Sequence, residues 1–243
     1  MGFLLLCGGL LIGTAFLFFF ISLVLYLTRG AAAPGGAPRP AAKTSPVPPP
    51  ALSRKTGDPM RDQFIKARIG QTITVNHPQR GPITGKILGS IRYTELWQRV
   101  NSPSEPWTPT GNEFVAHWLG NFLLYEWQDR LYLLDDYVSL TDQDIQTSFM
   151  PYAKRFAQSN QTAHVVFDWP PASWVIKDIG KFSVAQAEGA GLRLSPGATG
   201  RFIHGDGADN RAIVLEDYQS GGGGQDTAWT GWSITWKDIT KIG

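Results

Sequence analysis

Chemistry in this chain would have to come from four histidines, scattered carboxylates and nine tryptophans. His77, His117, His164 and His204 stand far apart, without H-x-x-x-H or H-E-x-x-H spacing, so the expectation is no metal. Glu113 and His117 would share a helix face, but the residues around them alternate as a strand does. That sets the pair about 13 Å apart along one sheet face, too far to act as acid and base. Asp206-Gly207-Ala208-Asp209-Asn210 lacks the alternating ligands and closing glutamate of a calcium loop and reads as a hairpin turn. Gly189-x-Gly191 lacks the third glycine of a dinucleotide fingerprint, because Leu194 occupies that place. Neither a phosphate loop nor a G-x-S-x-G nucleophile elbow occurs. The expectation is therefore no assignable catalytic residue and no cofactor, with Glu126 and Asp129 the carboxylates that a rival carbohydrate hydrolase would draw on.

The tryptophans are the other resource. All nine follow residue 96: Trp97, Trp107, Trp118, Trp127, Trp169, Trp174, Trp229, Trp232 and Trp236. Indoles at this density fill a β core, each seeking a partner for its N–H near the rim, or they form a platform on which sugars or bases stack. Trp232 and Trp236 share a strand face with Ile234, which predicts core. Trp107 stands among Pro103, Pro106 and Pro109, which predicts a loop and makes it the candidate exposed binding residue.

These side chains must be held by elements, and the hydrophobic pattern after residue 67 is that of strands. In Ile83 to Tyr93 the odd positions are mostly apolar and the even ones mostly polar, which predicts one half-buried strand with a bulge or coiling at Gly85 and Gly89. Short strand-like runs recur at 72–75, 113–119, 122–127, 130–138, 173–179, 182–187, 201–204, 212–218 and 229–236, with turn-rich gaps between most of them. Such a pattern predicts a mainly β domain, an antiparallel barrel or sandwich. Thr141 to Ser159 predicts one or two short helices joining two strand groups, interrupted at Met150-Pro151. Met60 to Ala67 predicts another short helix.

Charge and composition divide the chain of 243 residues. Residues 59–243 carry 17 basic and 19 acidic residues, a balance that excludes the dense phosphate neutralisation of a nucleic-acid binder. Cys7 is the single cysteine, which excludes an intramolecular disulfide framework. From Phe3 to Leu27 there are 25 consecutive uncharged residues, long enough to span a hydrocarbon core of about 30 Å. The run is too long, and lacks the preceding Lys or Arg, for a cleaved signal peptide, so residues 1–29 read as a transmembrane signal-anchor helix. Arg29, Arg39 and Lys43 follow the span and no Lys or Arg precedes it, which predicts that the C-terminal side faces the cytoplasm. Residues 30–59 hold eight prolines and seven alanines and read as a disordered, partly polyproline linker. Residues 60–243 are left as the β-rich domain.

Within that domain the chain resembles a bacterial family known as domain of unknown function 4178. The likeness is carried by Ile69-Gly70-Gln71-Thr72-Ile73-Thr74-Val75, the Gly85 to Tyr93 strand ending in Thr94-Glu95, and Asn112-Glu113-Phe114-Val115-Ala116-His117-Trp118. Trp127 with Tyr132-Leu133, Trp174 to Gly180, Ala187-Glu188-Gly189 and the late Glu216 extend it across about 68–236. The resemblance implies a β-rich accessory module with no established catalytic residues. Many members resemble one another in a cysteine-rich zinc ribbon ahead of the domain, where this chain has its apolar run and linker. The functional expectation is a membrane-anchored, non-catalytic module that binds a protein partner or ligand at the inner face of the membrane. The alternative is an envelope-facing carbohydrate binder or hydrolase.

Overall fold

A computed structural model describes residues 57–98, 106–189, 194–220 and 226–243. The apolar run and linker residues 30–56 lie outside the described residues. Among the described residues no helix is long and apolar enough to cross a membrane.

The fold is mainly β: an eight-stranded antiparallel barrel with a few short helices. Strands β1 (Thr72–His77) and β2 (Gly81–Lys86) form a hairpin that is completed by the last strand, β12 (Ile239–Ile242), into a three-stranded sheet. The barrel is two meanders: β3 (Gly89–Trp97), β4 (Thr108–Trp118), β5 (Leu123–Trp127) and β6 (Arg130–Ser139), then β8 (Ala172–Gly189), β9 (Thr199–Asp206), β10 (Arg211–Ser220) and β11 (Thr227–Ile234). Antiparallel pairings of β6 with β11 and of β3 with β8 close it. Short β7 (Val166–Trp169) extends the sheet along the first residues of β8.

Alternation within the strands builds three cores. Inward residues such as Tyr93, Phe114, Tyr125, Trp127, Tyr132, Phe182, Phe202 and Val214 fill the barrel, as expected for an eight-stranded closure. Outward residues of β4 to β6 and β11, including Val115, Leu124, Leu133 and Trp232, pack against the three-stranded sheet and Phe64 of α1 (Pro59–Lys66). That helix is started by Asp58, whose Oδ1 accepts from the Met60 N–H at 2.8 Å, and by Pro59 in its first turn. On another wall, Ile176, Ile203, Ile213 and Leu215 pack under the segment joining the meanders. That segment is α2 (Asp142–Asp144), a π-helical turn over Ile145–Phe149, and α3 (Met150–Gln158). The Met150 N–H donates to the Ile145 carbonyl, so the widened turn falls just before Pro151, which has no N–H to donate. Among the described residues all three cores are made within 57–243, which falls in one compact unit of the chain.

The structure corrects three details. Ile83 to Tyr93 is two strands of different sheets: Ile87 N–H donates to Gln71 O and Leu88 N–H to Trp118 O, so the chain changes partners at this corner while its alternation continues. The irregularities fall within Arg92–Leu96 of β3, whereas the register across Gly85 is unbroken. Residues 173–187 belong to one continuous strand; Gly180 does not interrupt it, because a side chain there would meet the Phe202 ring, its Cβ 2.6 Å from Cζ. Trp236 leaves the strand for a 3-10 turn (Trp236–Asp238) and packs at 5.5 Å on Phe64.

Candidate functional site

Each histidine has its own place. His77 Nδ1 accepts the N–H groups of Gln79 and Arg80, leaving Nε2 to donate to Asp135 at 3.2 Å, so the ring fastens the β1–β2 turn. His117 Nε2 donates to the Phe64 carbonyl at 2.9 Å, and burial lowers its pKa to about 4. His204 lies inside the barrel among Tyr125, Trp127 and Phe202, its pKa lowered by burial to about 3, and His164 is exposed. Among the described residues no three His, Cys, Asp or Glu side chains cluster as metal ligands.

Glu126 and Asp129 are not free carboxylates. Arg61 of α1 reaches across the outer wall and donates to Glu126 Oε1 from Nη2 at 2.7 Å and from Nε at 3.1 Å; its Nε also lies 3.2 Å from Asp129 Oδ1. The Arg61 and Glu126 side chains are buried, so the pair locks α1 to β5. Glu113 is exposed and faces Arg92 at 3.5 Å.

The tryptophans divide as their strands dictate. Trp127, Trp174 and Trp232 are buried, Trp118, Trp229, Trp97, Trp169 and Trp236 are partly covered, and Trp107 is 40% exposed just before β4. Lys181 Nζ stands 4.7 Å from the centroid of the Trp107 ring, a cation–π contact that ties the β3–β4 hairpin to β8.

Trp107 stands at a cleft of about 730 Å³, within the range of small-molecule sites. One end lies at the barrel mouth, where the β5–β6 turn presents Gln128 and Arg130 beside Trp127 and Asp178. From there it follows the outer faces of β8 to β10 beneath α3, over a floor that includes Ile145, Phe149, Ala153, Ile203 and Leu215. The end of β3 with Trp107 lines one side of it, and the π turn with α3 lines another.

Two acids of the cleft lie on inward positions. Burial raises Asp178 to about 6 against the pull of the Trp127 indole N–H, which donates to Oδ2 at 2.7 Å, and the charge of Glu95 adds to the rise. Burial raises Glu216 to about 7, although Tyr218 OH donates to its Oε2 at 3.0 Å. A hydroxyl chain continues to Tyr93 OH, 3.2 Å from Tyr218 OH. Reasoning from local motifs passes over both acids, since Asp178 meets Trp127 only in the fold and Glu216 with Tyr218 forms no catalytic or metal-binding spacing. The available signal was register: Ala212, Val214 and Tyr218 point into the barrel, and Glu216 occupies the same face.

No family model, curated protein or solved structure matches the chain.

Proposed function

We propose that this protein is a membrane-anchored, non-catalytic binding module whose ligand enters the cleft beside Trp107. The observation that carries the reading is the cleft itself, apolar along its floor and edged by an exposed indole and lysines. The pairing of Glu126 and Asp129 with Arg61 supports binding over carbohydrate hydrolysis, because the carboxylates that hydrolysis would need there are engaged in holding α1. The resemblance to domain of unknown function 4178 supports an accessory role in the same way, through a pattern of apolar, aromatic and glycine positions. The uncharged run from Phe3 to Leu27 supports a single membrane span, and the basic residues after it support a cytoplasmic domain on a Pro/Ala-rich tether, close to membrane-associated partners.

Native mass spectrometry of the full chain released from its membrane tests the reading. A bound small molecule is expected, and it should be lost in Ala157→Trp, which fills the cleft from an exposed position of α3. Glycan turnover that depends on Asp178 would contradict it and favour the hydrolase.

A further inference from the structure

The acids of the cleft have donors within the protein. Glu95 Oε2 accepts from Asn112 Nδ2 at 2.8 Å and from Thr110 Oγ1 at 3.0 Å, Asp178 from Trp127, Glu216 from Tyr218, and Asp217 from Arg201. Two of the cations are also engaged, since Lys177 and Arg130 face Asp206 at 3.7 Å and 3.9 Å. Lys154 of α3 and Lys181 of β8 differ. Among the described residues neither has a carboxylate within ion-pair distance. Lys181 rests on the Trp107 ring, with the ion pair of Arg201 and Asp217 nearby. Of the cations that line the cleft, these two are left without a carboxylate partner, and they border an apolar floor.

We propose that the cleft takes an anionic amphiphile, a single apolar chain ending in a carboxylate or phosphate, with the chain on the Phe149–Ile203 floor and the head at Lys181 and Lys154. This rests on the binding-module reading and names its ligand class. The two halves of the ligand answer two separate features: apolar area withdraws from water against the floor, and the head accepts charge-assisted hydrogen bonds from the two amines. A neutral head leaves both amines unmatched, and a cationic head is repelled by them. A free acid and a lipid carry the same chemistry, so the probes include one of each.

The test titrates the 57–243 fragment, below the micellar range, with dodecanoate, lysophosphatidate, dodecanol and dodecylammonium, following tryptophan fluorescence and heat. One equivalent of dodecanoate or of lysophosphatidate should bind at least tenfold more tightly than dodecanol, and the better of the two identifies the source as free acid or lipid. The double variant Lys154→Met and Lys181→Met should bring the anions down to the dodecanol affinity while still unfolding in one cooperative transition, and Lys181→Arg should retain the preference. Equal affinity for dodecanol and the anions, or tighter binding of dodecylammonium, overturns the anionic head while leaving the cleft a binding site. No binding by any of the four overturns the amphiphile. Anion binding undiminished by Ala157→Trp overturns both the amphiphile and the cleft.

Discussion

Glu216 and Arg61 show how single polar residues act inside this fold. An unfolded glutamate protonates near 4.5, whereas burial holds Glu216 near 7, so the folded chain binds this proton more tightly. Its contribution to stability is full below pH 4.5 and is lost as pH rises through 7. His204 and His117 act in the opposite direction: each stays neutral in the fold to about 3 and 4 while an unfolded imidazole protonates near 6.5, so their contribution is lost as pH falls below 6.5. Glu216→Gln should remove only the first effect, making the variant more stable than the parent above pH 7 by on the order of 3 kcal/mol and no more stable below pH 4.5. Melting temperature against pH measures this, and an unchanged profile would remove Glu216 as the source. Arg61 supplies a second prediction. Arg61→Met leaves the buried Glu126 carboxylate without its cation and should cost about 3–5 kcal/mol, whereas Arg61→Met with Glu126→Gln should recover most of the loss. Denaturant titration of the two variants gives the comparison.

At the scale of elements, alternation was legible and hydrogen-bond partnership was not. The runs from Thr72 onward disclosed strands because inward and outward residues differ in polarity, and the barrel was among the two architectures they allowed. The corner at Ile87-Leu88 was hidden because apolar alternation passes through it while the partners change from β1 to β4. The runs 173–179 and 182–187 read as separate, yet they are one strand, and the glycine between them makes room for the Phe202 ring on the neighbouring strand. Gly180→Ala should therefore cost about 1–3 kcal/mol, with partial recovery when Phe202 is also replaced by Leu, as measured by urea unfolding. The helices at 142–158 were legible from capping chemistry, since Thr141 and Asp144 exchange the reciprocal bonds of a capping box. Their role in walling a cleft was not, because that depends on which barrel face lies beneath them. Of the site, Trp107 was legible from its prolines. Lys181 and Asp178 were not, for they meet Trp107 and Trp127 only through strand pairing.

At the scale of the whole molecule, the sequence joins a long uncharged run, a Pro/Ala-rich segment and a β-barrel. Anchored as proposed, the full chain should fractionate with membranes, resist alkaline carbonate extraction and lose both behaviours when residues 1–28 are removed; a soluble full-length chain would refute the anchor. The central claim is that the cleft beneath α3, and not another aromatic surface, is where the module binds. The half-covered cluster of Trp118 and Trp229, whose rings lie 5.4 Å apart, is the natural control, because neither ring lines the cleft. The most direct measurement is the set of indole N–H resonances of the 57–243 fragment in a nuclear magnetic resonance titration with dodecanoate. Saturable shifts of Trp97, Trp107 and Trp127 with Trp118 and Trp229 unmoved are the predicted result; shifts confined to Trp118 and Trp229, or none at all, would contradict it.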